Sequence, residues 1–592
     1  MKAGNSGFGV AGVFLALALQ SCALSNAPAA PATPEARLEA MRPVSSAMLQ
    51  NPAPGDWLQW GRTYDGQNFS PLNRINRENV KGLAPLWSTP LTNGVAMPTP
   101  LVHDGIMFLN TSPDTVLALD ATTGKELWRR AHTNAEGVSS TMKMGLSLSG
   151  GMVFVPTSDL HVLALDAKTG ATVWDHTIEV RPPAVKSTTL GLRSAPFIVG
   201  DKVIQGVTAS FVAGGGFIVA LDIATGKELW RFNTIARPGE PGGESWNGLP
   251  LDKRFGGSVW HQGTWDKDLN LIYYGVAPTY ETGPMLKPSG IPGTTQDALY
   301  TNSTIALNPD TGKLVWHYQH FRNDQWDLDW VFERQIATVR VGGRNRKVVM
   351  NMGKMGILEA LDAATGEYLF SIDAGTQNII TAIDPETGAK TIDPGRLPDP
   401  ERATMYCPGP SGARSWPPTS FSKNTGLLYA PLTEWCMGMG GKTGSLLSAP
   451  GSVLSAADHP DAVKDGKMGR LQAFDVAGKK LAWTHDLDAP LSTSALATAG
   501  GVVFTGDLDP SLKAFDDRDG KLLWSAPLPN APSSSVITYS VGQTQYVAVV
   551  VGMRNNHIND QLRRYQAFRK ARGLTADPPP TPASIQVFAL GN

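Results

Sequence analysis

The stretch RNDQWDLDW, residues 322–330, sets Asp324, Asp327 and Asp329 among Trp326 and Trp330. Carboxylates beside large aromatics suit a partly dry place, where burial tunes their basicity. Three chemistries fit such a segment: a general base, a set of metal ligands, or a turn whose carboxylates bind backbone N–H groups. Other residues of chemical type stand far away in the chain. Lys354 lies in NMGKMG, Trp260 ends GGSVW, Arg193 lies in GLRSAP and Thr208 in GVTAS, while Cys407 and Cys436 follow a single earlier cysteine, Cys22. Nothing local joins these residues, so the fold must.

The elements that would position them announce themselves by repetition. ALDATTGKELW ends at Trp128, ALDAKTGATVW at Trp174, ALDIATGKELW at Trp230 and ALNPDTGKLVW at Trp316. ALDAATGEYLF ends at Phe370, AFDVAGKKLAW at Trp483 and AFDDRDGKLLW at Trp524. Each phrase reads as strand, tight turn, strand, with a glycine where the turn needs positive φ and a terminal aromatic free to pack between neighbouring sheets. The shorter spacings suit one four-stranded blade each. The long gap between Phe370 and Trp483 has room for two, one of them built on the hairpin-like SKNTGLLYAPL, residues 422–432. With that blade counted, the expected fold is all-β, an eight-bladed β-propeller with Trp-docking repeats. WLQWGRTYDGQNFSPL near the start and ASIQVFAL at the end are the candidates to close the ring. One amphipathic stretch, NDQLRRYQAFRKARG (559–573), predicts a helix outside the ring, within an insert over 553–582.

Composition limits the alternatives. The 592 residues carry a net charge of −1, so no basic field favours nucleic acid, and no nucleic-acid motif appears. Glycine (62) and proline (44) are abundant, as a turn-rich all-β chain requires. Residues 1–22 read as an export signal: Lys2, then the apolar FGVAGVFLALAL, then LQSC, which resembles a bacterial lipobox. If it acts as one, Cys22 is lipidated and anchors the protein to a membrane; if not, cleavage near NAPAA releases it into the periplasm. Residues 23–50 are expected to form a flexible tether and 51–592 the propeller. In an oxidising compartment Cys407 and Cys436 are expected to pair as a disulfide, the alternative being two buried thiols.

The Trp-ended repeat, the opening WGRTYDGQNFSPLNRIN and the DQWDLD segment together resemble the quinoprotein alcohol dehydrogenases, over roughly residues 54–590. The resemblance implies pyrroloquinoline quinone (PQQ) on the propeller axis. It implies Trp260 as the floor beneath the quinone, Lys354 as the cation near the quinone oxygens, and Thr208 as a hydroxyl binding a PQQ carboxylate. It also implies Asp327 as the base that takes the alcohol proton, with Trp326 and Trp330 limiting water around it. Asp329 resembles the additional acid that accompanies lanthanide use in some relatives, and Asp324 is expected to shape the loop.

The sequence departs from the family where relatives hold a metal. Ungapped matching sets Phe211 at a Glu ligand position and Pro278 at an Asn ligand position. Met144 and Gly145 replace an adjacent pair of cysteines, Gly150 stands at a carboxylate-binding Arg, and Met97 at a Glu. Arg193, where relatives usually carry Thr, offers a guanidinium that can pair with a PQQ carboxylate. A calcium or other cation is therefore expected to be absent or held differently, with Asp327 and Asp329 as its candidate ligands. The implied function is oxidation of an alcohol, bulkier or secondary rather than methanol, by a PQQ-dependent dehydrogenase. No CxxCH occurs, so electrons are expected to pass to a separate acceptor such as a soluble cytochrome c. The alternative from another class is a non-catalytic propeller scaffold, a lipoprotein of the outer-membrane assembly type.

Overall fold

The computed structural model describes residues 33–184, 190–398, 404–439, 453–454, 466–574 and 581–591. The signal segment and Cys22 lie outside the described residues. Eight four-stranded antiparallel sheets follow one another as blades. Blade 1 spans 101–131, blade 2 147–177, blade 3 197–233, blade 4 264–319, blade 5 335–373, blade 6 420–487 and blade 7 496–527. Blade 8 takes three strands from 537–590 and its outermost strand, Leu83–Pro90, from near the other end of the chain. Pairing of the two chain ends within one blade closes the ring.

The expected blade at 422–432 is corrected by this arrangement. Strand Leu427–Thr433 pairs directly with Gly469–Asp475, so the hairpin supplies the inner half of the same blade that ends at Trp483. The total of eight is reached through blade 8 instead. The inner strands carry no phrase of their own, and for that reason the long gap held one blade rather than two.

One contact recurs at the junctions that follow blades 1 to 4. The Trp128 indole N–H donates to Ala167 O (3.1 Å), Trp174 to Ile223 O (3.0 Å), Trp230 to Pro309 O (2.8 Å) and Trp316 to Ala363 O (3.2 Å). Each ring lies over the turn glycine of the next blade so closely that a Cβ on Gly170 would stand 2.8 Å from Trp128. Blade 5 breaks the rule at both partners at once. It ends in Phe370, which has no N–H, and the facing turn places Lys479 (φ +54°) where the others place glycine; its ammonium lies 5.2 Å over the Phe370 ring.

Segment 57–70 ties several blades together. Trp57 pairs with Val102 of blade 1, the Tyr64 carbonyl accepts from Trp265 N of blade 4, and the Asp65 carbonyl from Ile336 N of blade 5. The Gln67 carbonyl accepts from Phe421 N of blade 6, and Phe69 pairs in parallel with Ala497 of blade 7.

Two further expectations change. The tether ends earlier than residue 50: α1 (Pro34–Ala40) and α2 (Ser46–Gln50) are capped by Thr33 and Ser45. They are fixed to the ring by an Arg37–Asp120 ion pair, a Val44–Gly150 bridge and buried Leu49. The helix of the insert, α3 (Asn556–Ala571), does not stand clear of the ring. Ile558 and Tyr565, one face of the helix, pack on Met468, Ala489, Leu508 and Ala531, and the first turn of α3 overhangs the hub.

Candidate functional site

Loop 322–330 is built around Asp324. Its carboxylate accepts from Trp326 N (2.8 Å), Leu328 N (2.7 Å) and Asn302 Nδ2 (2.9 Å), while Asn302 Oδ1 accepts from Trp330 N (3.1 Å). Asp324 thus shapes the loop, and burial holds its acid up at about 6. The two tryptophans are anchors rather than the expected screen. Trp326 packs with Phe321 and Tyr406, and Trp330 stacks on His320 at 4.7 Å. Fastened on both sides, the loop forces Asp327 into the left-handed region at φ +63°, a conformation that costs a β-carbon residue energy and persists only under such restraint.

Asp327 turns its carboxylate toward a cavity of about 450 Å³ at the hub. Oδ2 binds Lys354 Nζ (3.1 Å), while Oδ1 is buried with no hydrogen-bond partner among the described residues. Lys354 also donates to the Asp327 carbonyl (2.7 Å) and to Asp329 Oδ1 (2.9 Å), so its three N–H groups have three acceptors. Burial pulls the Lys354 ammonium down, but Asp327 and Asp329 outweigh it and hold its pKa above the ordinary value. Burial, helped by Asp327 and opposed by Lys354, pushes the Asp329 acid well up. The two carboxylates considered as cation ligands are therefore bridged by an ammonium.

The opposite wall carries Arg193, Ser210 and Tyr280. Arg193 Nε is shut from solvent without a partner. Burial, with Asp327 and Asp329 nearby, pushes the Tyr280 phenol well above its usual range, so it remains a hydrogen-bond donor. Trp260 lines the cavity, and Trp416 lies against it with ring centroids 5.1 Å apart. Loop 407–416, which delivers Trp416 and Ser411, is stapled by the Cys407–Cys436 disulfide, as the cysteine count anticipates. From α3, His557 and Asp560 complete the rim, and Asp560 accepts from Ser411 Oγ (2.8 Å). Burial brings His557 down to about 3, so its ring is neutral.

Of the residues expected from sequence, Asp327, Asp329, Lys354, Trp260 and Arg193 meet at this cavity. Thr208 does not line it; it is fully buried two residues before Ser210, and its Oγ1 has no partner among the described residues. Phe211 packs its ring on Tyr280 (4.8 Å), and the Pro278 carbonyl accepts from Gly257 N (3.0 Å). Met97 and Met144 are buried with Trp60 and Met142 against Trp416. Gly150 is exposed, forms an antiparallel bridge with Val44 and does not line the cavity. Sequence reasoning missed Tyr280, Ser210, Trp416, His557 and Asp560. Only the last two carried a signal, by lying on the single amphipathic helix of the insert.

The cavity fits a flat polyanionic cofactor better than packed side chains. An indole, Trp260, lines it together with Arg193 and Asp327, each of which carries a buried polar atom without a partner among the described residues. Buried polar atoms are ordinarily paired, so those left over mark where a ligand is to bind.

Comparison with known proteins agrees. Residues 57–377 and 463–547 match the domain family described as PQQ glucose/ethanol/alcohol dehydrogenase, beta-propeller domain. The chain is 33% identical over 544 residues to quinohemoprotein alcohol dehydrogenase ADH IIB of Pseudomonas putida, covering 88% of this chain and 77% of that one. It is 30% identical over 535 residues to quinoprotein alcohol dehydrogenase PedH of Pseudomonas putida, covering 85% and 87%. Among solved structures, quinohemoprotein alcohol dehydrogenase ADHIIG of Pseudomonas putida superimposes with a TM-score of 0.80 at 27% identity, covering 93% of this chain and 83% of that one. A europium-containing methanol dehydrogenase does so with a TM-score of 0.76 at 26% identity, covering 92% and 99%.

Proposed function

Since this chain belongs to the PQQ-dependent alcohol dehydrogenase family, we propose that it oxidises an alcohol to the aldehyde or ketone with PQQ bound at the cavity beside Trp260. The observation that carries the reading is the meeting of Trp260, Arg193, Lys354 and Asp327 at one cavity, with the buried Oδ1 of Asp327 left without a hydrogen-bond partner among the described residues. PQQ supplies the two-electron acceptor for the hydride of the alcohol carbon.

The remaining chemistry belongs to the chain. Asp327 Oδ1 accepts the hydroxyl proton as the carbon–hydrogen bond breaks. Lys354, fixed by Asp329, keeps the Asp327 carboxylate in place and presents positive charge where negative charge develops. Trp260 offers a flat apolar face of defined orientation, and Arg193 a guanidinium for a carboxylate. A bulkier or secondary alcohol is the proposed substrate, in keeping with the loss of the family's adjacent cysteines at Met144 and Gly145. A c-type cytochrome outside this chain is the proposed electron acceptor, since its 592 residues hold no CxxCH. The Cys407–Cys436 disulfide supports a periplasmic location. No helix among the described residues is long and apolar enough to cross a membrane.

The test is reconstitution of the purified protein with PQQ, followed by dye reduction over a panel of primary and secondary alcohols. Tryptophan fluorescence is expected to be quenched by PQQ, and at least one alcohol to drive turnover. Neither quench nor turnover would overturn the reading in favour of a scaffold.

A further inference from the structure

We propose that this quinoprotein works without a metal ion: the Lys354 ammonium, seated between Asp327 and Asp329, stands in for the divalent or trivalent cation. The inference rests on the PQQ reading above.

A hard cation takes about six to eight oxygen ligands. At this cavity the chain offers three carboxylates: Asp327 and Asp329 face Lys354 Nζ at 3.1 and 2.9 Å, and Asp560 is engaged by Ser411, Arg563 and Arg564. An ion between Asp327 and Asp329 would lie against an ammonium, with like charges in contact at low dielectric. The other expected ligand positions bring no oxygen that is free. Phe211 presents a ring to Tyr280, and the Pro278 carbonyl is engaged by Gly257 N.

Among the described residues, the one group of three metal-ligating side chains close enough to share an ion is Asp56, His103 and Asp104, none of which lines the cavity. The backbone fixes the ammonium further. Lys354 N donates to Asp329 O (2.9 Å), and Ala413 N donates to Lys354 O (2.7 Å). Gly412 passes so close that a Cβ there would stand 2.5 Å from Lys354 Cγ. A lysine held by backbone on two sides is a built cation site rather than a surface side chain.

The experiment separates this inference from the reading beneath it. Protein is dialysed against EDTA, its metal content measured by mass spectrometry, and PQQ titrated by tryptophan quenching alone, with calcium chloride and with lanthanum chloride. The expected result is PQQ affinity equal within about twofold in all three titrations, with substoichiometric calcium and lanthanide in the PQQ complex. PQQ binding that appears only with calcium or lanthanum overturns the metal-free inference and leaves the quinoprotein reading standing. Absence of PQQ binding in every titration overturns both. A Lys354→Ala variant, with its fold checked by circular dichroism, is expected to lose roughly tenfold or more in metal-free PQQ affinity and to regain part of it with calcium. Unchanged metal-free affinity in that variant overturns the role given to Lys354.

Discussion

Two carboxylate clusters in this molecule look alike in composition and differ in pairing. At the rim of blade 1, His103 Nδ1 contacts Asp56 (3.0 Å) and Nε2 contacts the Arg42 carbonyl (3.0 Å), while Asp104 is held by Arg42 (2.6 Å). At the hub, Asp327 and Asp329 are held by Lys354, yet Asp327 Oδ1 and Arg193 Nε on the facing wall have no partner among the described residues. The rim cluster closes on itself, as a network that fixes structure does. The hub cluster leaves open valences pointing at a cavity. A group of titratable residues is thus read as a site by the bonds it has not made.

That contrast can be broken experimentally, and the largest effect is expected at Asp327. Asp327→Asn removes the base and should lower kcat/KM by about 10²–10⁴-fold while PQQ still quenches tryptophan fluorescence. A loss of quenching in parallel would make the residue a binding group instead. Arg193→Gln should weaken PQQ affinity by roughly 10–100-fold, the scale of a charge-assisted hydrogen bond, with a smaller change in kcat at saturating PQQ.

The rim cluster should answer to stability alone. Asp56→Asn is expected to cost about 1–3 kcal/mol in urea unfolding and to leave kcat/KM unchanged. Burial lowers the His103 pKa, but Asp56 and Asp104 overcome it and raise the net value above 6.5. A raised folded pKa gives stability that is complete below about pH 6.5 and lost as pH climbs through the raised value. Melting temperature should therefore fall across that window in the parent protein, and His103→Gln should flatten the fall.

The smallest expected effect concerns the ring. Gly366 (φ +75°) lies under Trp316, where a Cβ would stand 2.5 Å from the indole. Gly366→Ala should cost about 1–2 kcal/mol of stability with unchanged PQQ affinity, since the residue serves blade docking and not the hub. A fall in PQQ affinity would show that blade spacing and hub geometry are coupled.

Much of this was legible in the residues. The phrase ending in Trp128, Trp174, Trp230 and Trp316 names four blade junctions, because docking needs an indole and a facing glycine at fixed offsets. The paired exchange of Phe370 with Lys479 is visible in the same alignment of repeats. The inner strands were not legible: residues 427–433 alternate like any buried strand, and only pairing with 469–475 assigns them to blade 6. Trp326 and Trp330 were expected to shield Asp327, but with the Asp324 and Asn302 bonds holding the loop they pack into one buried cluster with Phe321, Ile379 and Tyr406. Tyr280 gave no signal, since its approach to Asp327 joins two different blade connections.

The sequence alone determined the ring and the acid at its hub. Repeats are local, and a strand, a turn glycine and a docking indole lie within eleven residues of one another. Only the tertiary structure decided which polar atoms are left over, that Lys354 fills the gap between two aspartates, and that α3 roofs the cavity. Hydrogen-bond satisfaction is a property of neighbours in space, and these neighbours come from eight segments that the chain keeps apart.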